Sequence, residues 1–341
     1  MNKRERVIAA IEHRETDFVP YQVRMTVLER QAVIEASGIE NPEAFYDSHI
    51  ELATCMDFER ETEPGMFENE FGVVWDRRDG SDIGQPVIQP LFKEPGFEGY
   101  IFPKPLEKEI ASQMSGFSER PWDTFRMICT GWTLYERAWT LRGMENTLED
   151  MLLNEDFLSE LLDQIVSYNI AAMDCAIECC GNFDAFYFGD DWGQQRGLIM
   201  GARLWRKLIG PRIARLIDHA KKNRKYAVLH SCGDNIELFP DLIEAGLDVY
   251  DTFQPEIYDI REVKKKYGDK LCFLGGISTQ TLLPVASPQK VESTIREIIE
   301  IMGQGGGYIA APTHDMPPDT PIENFYAMIQ AFQNQKNGGS R

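Results

Sequence analysis

An imidazole and a thiol stand one residue apart in Leu229-His230-Ser231-Cys232-Gly233-Asp234, directly after an apolar run from Tyr226 to Leu229 that reads as a buried strand. Side chains at i and i+2 of an extended chain point the same way, so His230 and Cys232 can reach one ion from one strand end. That donor pair suits Zn²⁺ better than Mg²⁺ or Ca²⁺, which take oxygen ligands. A third ligand must arrive from elsewhere at the same height. His314, with Asp315 beside it, follows a second apolar run at Ile309 to Ala311. Three protein ligands and one open position are the pattern of catalytic zinc, whereas structural sites close with four. The plainer reading is a core cysteine beside a hydrogen-bonded histidine.

Other polar residues also stand where apolar runs end. Asp190 and Asp191 follow Phe183 to Phe188 on a glycine-flanked loop, Gln254 follows Val249 to Phe253, and Gly275-Gly276 follows Cys272 to Leu274. Asp190 reads either as a general acid, or an anchor for a cationic or hydroxyl group, or as a helix N-cap. Asp191 reads more simply as a solvated acid and is kept as a substrate-binding candidate. Gly276 would let a ligand approach the backbone, or merely permit close packing. Cys175, Cys179 and Cys180 fall at i, i+4 and i+5 of a helix and read as core packing, not as a metal cluster. Gly305-Gly306-Gly307 lacks the strand–GxGxxG–helix setting of a dinucleotide site. His13, His49 and His219 sit in charged surroundings and read as surface residues.

The elements that must position these groups follow from periodicity. A helix is expected over 3–14, a strand over Phe18 to Met25, and short strands with long loops over 40–120, for example Gly72 to Trp75 and Pro86 to Gln89. Beyond residue 124 the pattern is regular. After the apolar run Phe125 to Thr130, helices are expected near 133–141, 155–180 (Asn154 as N-cap), 203–222, 235–245, 257–267 and 288–302, and from Pro321. Strands over Phe183–Phe188, Tyr226–His230, Leu247–Thr252, Leu271–Leu274 and Gly307–Ala311 alternate with them. Seven to eight strands alternating with helices indicate an α/β fold, a (β/α)₈ barrel more than an open sheet, with irregular 40–120 as an extension of one domain spanning 1–341. In a barrel all strand C-termini form one rim, which would gather the polar residues named above.

The 341 residues carry a formal net charge of −20. That excludes nucleic acid and anionic membrane surfaces as partners, because both need basic patches. The charged N-terminus lacks the apolar core of a signal peptide, and Ile165 to Gly181 is broken by Asp174 and Glu178, so no membrane span is expected. Seven scattered cysteines read as reduced thiols and a cytoplasmic setting. A homodimer is compatible with the sequence.

Several motifs together resemble the uroporphyrinogen decarboxylase superfamily. They are Asn2-Lys3-Arg4-Glu5-Arg6, Gly189-Asp190-Asp191-Trp192-Gly193-Gln194-Gln195-Arg196-Gly197, His230-Ser231-Cys232-Gly233, Gly275-Gly276-Ile277-Ser278-Thr279-Gln280, Gly305-Gly306-Gly307-Tyr308-Ile309, Pro312-Thr313-His314 and Thr320-Pro321-Ile322-Glu323-Asn324. The resemblance implies a (β/α)₈ barrel and one of two chemistries. The His-x-Cys-Gly element is similar to that of the zinc-dependent corrinoid methyltransferases, in which a later cysteine completes the zinc site; here His314 stands in its place. The resemblance thus implies a methyltransferase acting between a small methylated substrate, a methyl ether first, and a corrinoid protein partner. Zn²⁺ on His230, Cys232 and His314 would serve as Lewis acid, Asp190 as proton donor, and Arg24 and Gln254 as substrate contacts. The alternative is a decarboxylase of a tetrapyrrole or another carboxylate, with Asp190 and His314 as acid–base pair. That branch carries an Arg-Gln-Ala-Gly-Arg segment to grip carboxylates. This chain has Arg30-Gln31-Ala32 followed by Val33-Ile34, although His314 does match a histidine of that branch.

Overall fold

The computed structural model describes residues 1–81, 85–86 and 91–335. Two compact units contain them: Leu52–Pro121 with Arg126–Leu247, and Met1–Glu51 with Trp122–Phe125 and Asp248–Arg341.

In the first unit, β1 (Phe125–Trp132), β2 (Ala185–Gly189) and β3 (Tyr226–His230) run parallel, with β2 in the middle. The first four residues of β2 are all buried, as in a parallel strand covered on both faces. Register decides what shares a level: Gly189 pairs with Trp132 on one side and with His230 on the other. The loops that leave β2 and β3 therefore start at one height. The crossover helix Glu155–Cys179 has Glu155 and Asp156 in its first turn, where acids favour the helix dipole. Asn154 does not cap it through its side chain; the amide donates instead to Asp150 at 2.7 Å.

The helix expected over 203–222 is interrupted. Gly201–Leu204 leads into a π-helical turn at Trp205–Ile209 before Gly210–Lys222 resumes. Pro211 lacks the N–H that would continue the ladder, and the wider turn absorbs the defect. The stretch near 235–245 likewise starts as a 3₁₀ turn, Ile236–Leu238, followed by Phe239–Glu244. Within 40–120, short antiparallel strands at Arg60–Glu63, Met66–Glu68, Val74–Asp76 and Gln85–Pro86 form a small sheet, with buried Trp75 in its third strand. Of the strand expected over Pro86 to Gln89, residues 87–89 lie outside the described residues. Cys179 is exposed, not packed in the core as expected; Cys180 is buried.

In the second unit, β4 (Val249–Phe253), β5 (Cys272–Ile277) and β6 (Tyr308–Pro312) also run parallel. Their helices are capped by side chains, Ile260–Tyr267 by Asp259 and Pro288–Met302 by Ser287. Phe18 to Met25 is not a continuous strand. It makes two isolated parallel bridges, Tyr21 to Ala310 in β6 and Met25 to Met316 beyond its end, because Pro20 has no N–H to give a ladder. His49 is not a surface residue: it is buried, its ring 4.4 Å from that of Tyr21. Gly306 has φ +78°, and a Cβ there would stand 2.6 Å from the Arg14 carbonyl oxygen. The triple glycine therefore serves a tight approach of the chain to itself. Among the described residues no helix is long and apolar enough to cross a membrane.

Candidate metal centre

His230 is the last residue of β3, and Cys232 lies two residues on in the loop that follows. The two stay close, with His230 Nε2 3.6 Å from Cys232 Sγ. A zinc ion held at about 2.05 Å from nitrogen and about 2.3 Å from sulfur, at a tetrahedral angle, sets those donors about 3.6 Å apart. The pair is thus spaced for that ion, although a thiol–imidazole hydrogen bond uses the same geometry. His314, the third candidate, follows β6 in the second unit. The donor chemistry and spacing of His230 and Cys232 fit zinc.

The loop carrying Cys232 is pinned from several directions. Its backbone N–H donates to Asp191 Oδ1 at 2.7 Å, and its carbonyl accepts from Asn235 Nδ2 at 2.9 Å. Asp191 Oδ1 is also 3.7 Å from His230 Nε2, so Asp191 belongs to the immediate surroundings of both candidate ligands. Gly233 has φ +83°, and a Cβ there would meet the Gly193 carbonyl carbon at 2.2 Å. Two glycines let the loops after β2 and β3 touch backbone to backbone, joined by Asp234 N–H to the Gln194 carbonyl at 2.8 Å.

Asp190 points elsewhere. It is fully buried, and its carboxylate accepts from the backbone N–H groups of Leu134 (3.2 Å), Tyr135 (3.1 Å) and Glu136 (2.8 Å) and from Trp192 Nε1. It caps the helix Tyr135–Arg142 from a distant strand end, which supplies acceptors that this helix lacks from its own N-cap residue. Burial pushes its pKa up to about 6 against the opposing pull of those donors, so at neutral pH it is ionised.

Arg24 donates to buried Asp251 at 3.2 Å and pairs with Asp315 at 3.4 Å. Gln254, just past β4, is buried, and its carbonyl accepts from Ile257 and Tyr258. Gly276 has φ +91°, and a Cβ there would stand 2.7 Å from the Tyr308 hydroxyl; the missing side chain makes room for packing.

Three residues near these groups escaped the sequence reading. Tyr187, inside β2, has its hydroxyl 3.0 Å from His230 Nδ1. Its place in an apolar run hid it. Glu136 is buried, and burial followed by the negative charges of Asp191 and Asp190 holds its carboxyl well above the usual range, favouring the neutral form. Its neighbours come from distant loops, so no local pattern marks it. Asp251 was legible: an acid inside the buried strand Val249–Phe253 needs a partner, and Arg24 is that partner.

The comparisons with known proteins define the class first. A solved methyltransferase from Methanosarcina mazei superposes with a TM-score of 0.74 at 16% identity, over 98% of each chain. The fold is α/β, of the (β/α)₈ barrel class with an N-terminal extension of helices and short strands. The profile of the uroporphyrinogen decarboxylase (URO-D) family matches residues 105–335, and the chain belongs to that family. A uroporphyrinogen decarboxylase of Coxiella burnetii is 24% identical over 222 residues, 64% of this chain and 57% of the relative's length. A methylated-thiol–coenzyme M methyltransferase of Methanosarcina mazei is 24% identical over 97% of this chain and 89% of its own.

Proposed function

We propose that this chain, as one (β/α)₈ barrel domain over 1–341, is a zinc-dependent methyltransferase. It would move a methyl group between a small methylated compound, a methyl ether, and a corrinoid carried by a separate protein. The observation that carries the reading is the His230–Cys232 pair, 3.6 Å between donor atoms at one strand end. The full-length similarity to a methyltransferase supports it.

His230, Cys232 and His314 would hold the metal. When bound, zinc supplies Lewis acidity toward the heteroatom that the methyl group leaves. The corrinoid supplies the methyl-accepting cobalt, and the barrel supplies orientation. Two neutral imidazoles and one thiolate leave one net positive charge on a divalent site, whereas a second thiolate would cancel it. A positive site favours a hard, developing oxyanion, which is why an ether ranks above a thioether here. Asp191, beside Cys232 N–H and His230 Nε2, would orient a substrate hydroxyl. Asp190 we assign to positioning: its oxygens serve four donors and hold the helix that carries Glu136. Arg24, Gln254 and the backbone at Gly276 remain substrate-contact candidates. The setting we propose is the cytoplasm, where the cysteines stay reduced.

The decarboxylase alternative needs several cations for a carboxylate-rich substrate. Arg24 already neutralises Asp251 and Asp315, and Arg30 is paired with Glu43 at 2.6 Å. Both observations favour methyl transfer. The test is metal analysis of the purified chain, followed by methoxylated aromatics and methylated thiols offered with a reduced corrinoid protein. Methyl-cobalt formation is followed by absorbance. We expect about one zinc per chain and methyl transfer from an ether. Metal-free protein that releases CO₂ from a tetrapyrrole would overturn the assignment.

A further inference from the structure

We infer that Tyr187 is a positioning residue for the proposed metal centre: its hydroxyl oxygen accepts the His230 Nδ1 proton and so keeps the Nε2 lone pair on the ion's side. The inference rests on the zinc reading above. Three features of the first unit carry it.

Strand register comes first. His230 pairs with Gly189, and Val228 pairs with Tyr187. Alternation places Tyr187 and Gly189 on one face of β2, and Val228 and His230 on one face of β3. The residue level with His230 is thus a glycine and offers no side chain. The long Tyr187 ring, one step down the strand, reaches across the gap and brings its hydroxyl to Nδ1 at 3.0 Å.

The second feature is the division of labour within the ring. Nε2 faces Cys232 Sγ at 3.6 Å and Asp191 Oδ1 at 3.7 Å, while Nδ1 faces Tyr187. A neutral imidazole carries one proton. If that proton sat on Nε2, no lone pair would remain for a metal there. Placing it on Nδ1, donated to the phenol oxygen, leaves Nε2 free to ligate and fixes the ring plane.

The third feature is rigidity. Tyr187 is buried on the middle strand, between β1 and β3. Its hydroxyl therefore sits at a fixed height beneath the rim, as an orienting partner must.

The experiment compares wild type with Tyr187→Phe. Zn²⁺ affinity is measured by competition with a chromophoric chelator, and the Co²⁺-substituted protein is examined for its d–d absorption. Loss of an outer-shell partner typically weakens metal binding by about 10–100-fold. We expect a loss of that size and an altered Co²⁺ spectrum, with an unchanged far-UV circular dichroism spectrum. Equal affinities and superimposable Co²⁺ spectra would overturn the inference while leaving the zinc reading intact. Wild-type protein that fails to bind Zn²⁺ stoichiometrically would instead overturn the reading beneath it. If the variant does not fold, ¹⁵N NMR of Zn²⁺-loaded wild type decides. A proton on His230 Nδ1 supports the assignment, and a proton on Nε2 overturns it.

Discussion

Replacing Asp190 by alanine removes the acceptor for four buried donors: the N–H groups of Leu134, Tyr135 and Glu136, and Trp192 Nε1. A buried donor left without a partner costs about 1–3 kcal/mol. The cavity admits water that satisfies part of the loss, so the low end applies, and four donors cost about 4 kcal/mol. For 341 residues the unfolding entropy is about 0.7 kcal/mol/K, so about 1.4 °C of melting temperature accompanies each kcal/mol and the expected drop is about 6 °C. Asp190→Asn keeps one acceptor oxygen and should lose roughly half as much. Thermal and urea unfolding measure both variants, with methyl transfer assayed below the transition. The reasoning fails if Asp190→Ala melts with wild type yet has no activity. That result would return Asp190 to the proton-donor role that its place at a strand end first suggested.

Further outcomes follow from the same geometry. Cys232→Ser and His230→Ala should each reduce bound zinc from about one per chain to near zero, checked by metal analysis on folded protein. Gly233→Ala should cost at least about 3 kcal/mol, from its left-handed backbone and from a collision with Gly193 that moves Cys232. Gly38→Ala is the control: φ is +68° but nothing lies within 4 Å, so about 1 kcal/mol is expected; equal losses in urea unfolding would refute the contact argument. His49 is held at a pKa of about 3, chiefly by burial. The unfolded chain takes up a proton below about pH 6.5 that folded His49 refuses, so stability falls as pH drops from 6.5 toward 3. At pH 4 the loss is about 3 kcal/mol. His49→Phe should lack that component, and denaturation curves of both proteins at pH 7 and pH 4 test it.

The sequence determined which groups could do chemistry and on what scaffold. Apolar runs alternating with amphipathic helices specify a parallel α/β fold, because both periods are local properties of the chain. His230 and Cys232 were legible for the same reason: two residues on a strand end share a face whatever lies around them. The tertiary structure decided what each polar group faces. Asp190 and Asp191 are neighbours in sequence, yet one turns inward to cap the helix at Tyr135 and the other turns to Cys232. Tyr187 looks like one more apolar strand residue until register places a glycine opposite His230. His49 is classed by its charged neighbours in sequence but lies buried against Tyr21. Periodicity reports which face is buried, whereas hydrogen-bond partners depend on register and on loops brought together from distant parts of the chain. Those are set only when the strands pair.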